Sequence, residues 1–164
     1  MEASMKPAIS LPVALALSIL PALAASLIGS AATLPNIPTW YMSLIKPSFT
    51  PPNWIFGPVW TLLYILMAIA CYRVLRRESP TGHRWPIAAY LTQAFFNGAW
   101  SVAFFGLNSP VIGLVIIVPL WASIVWTMIN FWSYDRFAGS VFVPYLAWVS
   151  FAIALNLGIW LLNP

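Results

Sequence analysis

The sequence predicts an all-α membrane protein: a single domain over residues 1–164, built as a five-helix transmembrane bundle with a structured outer loop between helices 1 and 2. Three observations carry that expectation. Of 164 residues, 62% are hydrophobic and only 6% are charged, where a soluble domain carries about 25% charged residues. The apolar residues run continuously instead of alternating, which excludes an outer-membrane barrel made of strands of about 10 residues around a polar lumen. Charges and prolines cut the chain into five apolar segments, each near the length of about 20 residues that crosses a bilayer. The same composition excludes disorder, which needs low hydrophobicity and high charge. Cys71 is the one cysteine, so no intrachain disulfide framework exists.

The first span is expected at residues 9–32. Lys6, an apolar run and Ala22-Leu23-Ala24 resemble a secretory signal peptide, but the run continues past the usual length and reads as an uncleaved helix. The second span, 55–75, is bounded by Arg73, Arg76 and Arg77. The third, 85–106, ends at the turn Leu107-Asn108-Ser109-Pro110. The fourth, 111–132, meets the polar Ser133-Tyr134-Asp135-Arg136, and the fifth covers 137–162. Pro12, Pro21, Pro58, Pro119 and Pro144 fall inside spans and read as kinks whose freed carbonyls neighbouring groups satisfy. Lys6, Arg73, Arg76, Arg77, Arg84 and Arg136 share one side, with Lys46 alone on the other. Basic residues concentrate on the cytoplasmic side, so the N-terminus is expected in the cytoplasm and the C-terminus outside. Glu2, Glu78 and Asp135 share that inner side, which leaves no Asp, Glu, Lys or Arg in the bilayer interior. The net charge of +4 is therefore read as topology and not as an affinity for nucleic acid.

The outer loop at 34–53 contains five prolines, which oppose a regular helix through most of it. Trp40, Tyr41, Leu44, Ile45 and Phe49 make it too apolar for a solvated linker. It reads as a lid over the helix ends, or as an interfacial segment anchored by Trp40 and Tyr41.

Polar groups within spans are costly and therefore informative. In the third span Gln93, Asn97, Trp100 and Phe104 share one helical face, at offsets of four, three and four. The adjacent face carries Ala94, Gly98 and Ser101, a pattern that permits close helix packing or dimerisation. Trp60 and Tyr64 pair on the second span; Tyr145, Trp148, Ala152 and Asn156 align on the fifth. At 1.5 Å rise per residue, Trp60, Tyr64, Asn97 and Trp100 all lie about 8–14 Å below the outer surface. Together these side chains predict a flat-walled apolar pocket for a large, planar, mainly hydrophobic ligand. The alternative is that Asn97 and Asn156 bond across helices and knit the bundle. Trp54, Trp85, Trp132 and Trp160 read as interface residues, and Trp121 and Trp126 as packing. His83 and Cys71 are isolated, with no metal set and no catalytic triad around them. No span holds an acid or a histidine of the kind that couples ion transport.

The run Trp40-Tyr41, Leu44-Ile45-Lys46-Pro47-Ser48-Phe49-Thr50-Pro51-Pro52-Asn53-Trp54, then Gly57-Pro58-Val59-Trp60 and Tyr64, resembles the translocator protein family. That family includes bacterial tryptophan-rich sensory proteins and the mitochondrial peripheral-type benzodiazepine receptor. Gln93 with Asn97, Ala99-Trp100, Phe104-Phe105-Gly106, Pro144-Tyr145-Leu146-Ala147-Trp148 and Leu155-Asn156 extend the resemblance over about residues 36–160. It implies a five-helix bundle, commonly a homodimer, with no required cofactor or metal. Implied ligands are porphyrins such as protoporphyrin IX and haem, sterols, and synthetic benzodiazepine-site compounds. The implied role is tetrapyrrole transport, sensing or stress regulation. Positions matching the family's ligand pocket are Trp54, Trp60, Tyr64, Asn97, Trp100, Trp148 and Phe151; Ala94 and Gly98 match its dimer face. Light-dependent porphyrin degradation, with Trp60 and Trp148 implicated, is the one enzymatic activity the resemblance implies. The sterol motif is broken: Leu157 stands for its tyrosine and no Arg or Lys follows, so tight cholesterol binding by that route is not expected.

Overall fold

Apolar runs of more than 20 residues satisfy their backbone polar groups most simply as helices, and the computed structural model, which describes residues 5–164, is helical almost throughout. The α-helices are α1 (Leu11–Thr33), α2 (Phe56–Leu75), α3 (Arg84–Ser101), α4 (Pro110–Tyr134) and α5 (Arg136–Leu162). A 3₁₀ turn, Asn53–Ile55, leads into α2, and π turns occupy Ile37–Tyr41 and Val102–Gly106. Four helical stretches are long and apolar enough to cross a membrane: α1, α2 with its leading turn, α4 and α5. Gln93, Asn97 and Ser101 make α3 more polar, and all three are buried. The chain is thus an integral, multi-pass membrane protein.

Local chemistry places the helix ends. Pro12 lies in the first turn of α1 and Pro58 in the first turn of α2, where a missing N–H costs nothing, so neither is a kink; Pro21, Pro119 and Pro144 lie inside helices. Ser109 caps α4 by accepting from the Ile112 N–H at 3.2 Å. Asp135 stops α4 in extended backbone and caps α5, its Oδ1 accepting from the Ala138 N–H at 3.1 Å.

Side by side, the helices close a ring in the order α1, α2, α5, α4, α3, with α3 returning to α1. The small face of α3 is applied to α1 of the same chain. A Cβ on Gly98 would lie 3.6 Å from Ile28 Cγ2 and 3.8 Å from Ala25 Cα, which are ordinary contacts. Trp85, Trp132 and Trp160 are half-exposed near helix ends. Trp121 and Trp126, which the sequence assigns to packing, also lie on the outer surface, because the α4 face turned to α3 and α5 is taken by Ile117, Leu120, Ile124 and Phe131. Trp121 donates to Ser150 Oγ at 2.9 Å, and Trp126 meets the Trp85 ring edge-on at 6.4 Å.

One end of the ring gathers the basic residues. Lys6 and Ser79 exchange backbone hydrogen bonds of 2.8 and 3.1 Å. Arg76 donates to the Ile9 carbonyl at 2.7 Å. Arg73 and Arg77 converge on Asp135 Oδ2 at 2.7 and 3.1 Å. His83 is buried beside Tyr134, its Nε2 2.9 Å from the Arg77 carbonyl oxygen, and Tyr134 donates to the Gly82 carbonyl. Glu2 lies outside the described residues. Burial alone would raise the Asp135 pKa, but the Ala138 N–H and the two guanidinium groups outweigh it and hold the carboxyl below its ordinary value.

A carboxylate with a depressed folded pKa stabilises the fold above the unfolded value and loses that contribution as pH falls through the folded one. Asp135→Asn keeps the cap and removes the charge. It is expected to cost about 1–3 kcal/mol at pH 7. The gap between variant and wild type should hold above the ordinary carboxylate value of about 4 and narrow progressively below it, read as unfolding midpoints in detergent across pH 3–7.

Candidate functional site

Away from the basic end the ring encloses a cavity of about 310 Å³. Its walls follow from helical periodicity. On α2, Trp60 and Tyr64 are one turn apart with rings stacked at 5.8 Å. On α3, Trp100 lies 6.3 Å from Trp60 and stacks on Phe104 at 5.8 Å. On α5, Trp148 and Phe151 lie 5.6 Å apart, with Asn156 further along. The α1 side contributes Ser26, Gly29, Ser30 and Thr33. Trp54, 73% exposed, stands at the rim. No charged side chain is among the lining residues.

Behind the aromatic wall runs a chain of hydrogen bonds. Tyr64 Oη donates to Asn97 Oδ1 at 2.5 Å, Asn97 Nδ2 donates to Tyr145 Oη at 2.7 Å, and Tyr145 donates to Gln93 Oε1 at 3.2 Å. A second link has Trp100 Nε1 donating to Asn156 Oδ1 at 3.3 Å, while Asn156 Nδ2 donates to the Pro110 carbonyl at 2.8 Å.

The structure brings six residues singled out from sequence to this cavity: Trp54, Trp60, Tyr64, Trp100, Trp148 and Phe151. Asn97 is not at its surface. It is 1% exposed, and both its amide atoms are engaged between Tyr64 and Tyr145. Ala94 and Gly98 lie elsewhere, bordering an open apolar groove of about 550 Å³ among α1, α3 and α4. Sequence reasoning missed the α1 hydroxyls, although Ser26, Ser30 and Thr33 recur at offsets of four and three. It also missed Phe56, 5.8 Å from Trp148, and Tyr41 as a wall residue. Among the described residues no three His, Cys, Asp or Glu side chains gather to hold a metal.

The connection between α1 and α2 crosses the cavity mouth. Its π turn brings Trp40 to 5.4 Å from Phe104 and Tyr41 to 5.6 Å from Phe105. Pro38 sits in the first turn of that segment, so proline does not prevent it. Burial raises the Tyr41 pKa above its usual value and keeps the phenol neutral. At the far side, Asn163 grips the connection. Its Oδ1 accepts from the Ile45 N–H at 3.0 Å and its Nδ2 donates to the Ile45 carbonyl at 2.9 Å. Pro47 rests on Gly158, where a Cβ would come within 2.5 Å of Pro47 Cγ, so only glycine permits this approach. Phe49 meets Phe151 edge-on at 6.2 Å.

A family model described as the TspO/MBR family matches residues 17–161. The chain is 42% identical over 146 residues to the tryptophan-rich protein TspO of Archaeoglobus fulgidus, covering 89% of this chain and 94% of that one. It is 44% identical over 127 residues to protein CrtK of Rhodobacter capsulatus, covering 76% and 79%. It is 32% identical over 123 residues to the human translocator protein, covering 74% and 73%.

Removing the clamp with Asn163→Ala should cost about 1 kcal/mol locally. The expected readout is amide exchange of residues 40–50 accelerated about five-fold, with the middle of α5 unchanged, measured by hydrogen exchange and mass spectrometry.

Proposed function

The chain belongs to the TspO/MBR family, and we propose that it binds porphyrins, protoporphyrin IX or haem, in its aromatic cavity and acts in tetrapyrrole transport, sensing or stress regulation. The observation that carries this reading is the convergence of four indoles and several phenyl rings on one cavity without a charged side chain. Such walls recognise a flat apolar ring by stacking and area burial, while a few hydroxyls and amides orient it. The hydrogen-bond chain behind Tyr64 holds the walls at fixed spacing, so the site is preformed.

In this reading α3 also crosses the membrane and brings the number of spans to five: its 18 residues continue through the five-residue π turn, a length of about 35 Å. The basic end faces the cytoplasm, the α1–α2 connection is an outer lid, and no cofactor is required for binding. A homodimer would use the groove bordered by Ala94 and Gly98, beside the exposed Phe95. Light-dependent porphyrin degradation is the second reading, favoured by Trp60 and Trp148 lining the same cavity, within reach of one bound ring.

Titrating protoporphyrin IX into the detergent-solubilised protein should quench tryptophan fluorescence saturably. Trp60→Phe and Trp148→Phe should each weaken binding about five-fold or more. Quenching that never saturates, or that ignores both substitutions, overturns the binding reading. Bleaching under light no faster than without protein overturns the enzymatic one.

A further inference from the structure

Tyr41 carries an inference beyond the binding of a flat ring, although it rests on that reading. Tyr64, Tyr90 and Tyr145 each donate a hydrogen bond, to Asn97, to the Ser18 carbonyl and to Gln93. Tyr41 does not. Its residue is 3% exposed, and its hydroxyl is the one buried side-chain polar atom without a partner among the described residues. A sealed, unpaired hydroxyl forfeits its hydration with nothing in return, and native proteins keep few of them. Its ring neighbours Phe104 and Phe105 offer no acceptor. Yet Tyr41 is a wall residue of the cavity, so a small shift of that wall on binding would bring the phenol to an acceptor on the bound molecule.

The charge beside it narrows the kind of acceptor. Lys46 Nζ lies 4.8 Å from the centroid of the Tyr41 ring, held by the Leu44 carbonyl at 3.3 Å. The other basic residues sit at the far end of the bundle. A neutral phenol with a cation against its ring suits a carboxylate, because a hydrogen bond to an ionised acceptor is about twice as strong as a neutral one. We propose that Tyr41, backed by Lys46, is the subsite that reads the carboxylate edge of the ligand. A planar ligand would then lie with its acid groups toward the α1–α2 connection and its apolar edge among Trp60, Trp100 and Trp148.

The test compares protoporphyrin IX with its dimethyl ester, by fluorescence titration of wild type, Tyr41→Phe and Lys46→Gln. Reading each ligand across the three proteins cancels its own partition into micelles. Tyr41→Phe should weaken the free acid about ten-fold and the ester about two-fold or less. Lys46→Gln should weaken the acid alone and reduce its salt dependence. Tyr41→Phe deletes an unsatisfied group, so it should unfold at or above the wild-type temperature, and a binding loss is then not a folding loss. Equal weakening of both ligands, or no weakening, overturns the subsite and leaves porphyrin binding standing. Failure of wild type to bind either ligand overturns both.

Discussion

The hydrogen-bond chain from Tyr64 through Asn97 and Tyr145 to Gln93 is the constraint on which the rest of the architecture depends. Inside a bilayer no water completes an unfinished amide or phenol, so these groups must meet one another or not be there. Their meeting joins α2, α3 and α5 at one level. Those are the three helices that carry Trp60, Trp100 and Trp148. Contact between α2 and α3 is otherwise sparse. The polar chain therefore spans a gap that side-chain packing leaves open, and the cavity occupies the space above it.

Two other features complete the enclosure. The small face of α3 lets α1 approach closely, so α1 serves as a wall, and its Ser26, Ser30 and Thr33 hydroxyls look across at indoles. The proline-rich connection then adds a wall through Leu34, Ile37 and Tyr41, held by Asn163 and by Pro47 seated on Gly158. Neither contact depends on helix-forming tendency. Each depends on residues more than 100 positions apart in the chain meeting at the bundle end.

That distinction explains what was legible in advance. The long apolar helices, the pairing of Trp60 with Tyr64 and the alignment of Trp148 with Asn156 follow from a period of 3.6, which survives folding unchanged. Periodicity gives a face but not what the face meets. Asn97 shares its face with Trp100, yet the phenols of Tyr64 and Tyr145 close over its amide and remove it from the cavity. Trp121 and Trp126 lie mid-helix, and depth along a span says nothing about which side of the bundle they occupy. Tyr41 was hidden for a different reason. Its segment contains five prolines and no period, so its wall position comes only from the π turn and the rings of Phe104 and Phe105. The junction of Asp135 with Arg73 and Arg77 was likewise hidden, because it joins the end of α2 to the α4–α5 junction through side chains about 60 positions apart in the chain.

A cavity without charge has a selectivity problem that its geometry answers. Stacking on indoles discriminates flat from bulky molecules but hardly one flat molecule from another, since every such ring presents the same π face. A cation placed deep among those rings would have sharpened selection at a heavy desolvation cost. Here Lys46 is instead at the connection, where its ammonium is tied to backbone carbonyls and stays partly exposed. Its ammonium lies against the ring of the buried Tyr41, a wall residue of the cavity. A neutral donor can transmit preference for an anion without itself carrying charge into the apolar interior. On the proposed binding, the division would follow from the membrane setting: shape read by the helices within the bilayer, and polarity by the one segment whose backbone is not committed to spanning it.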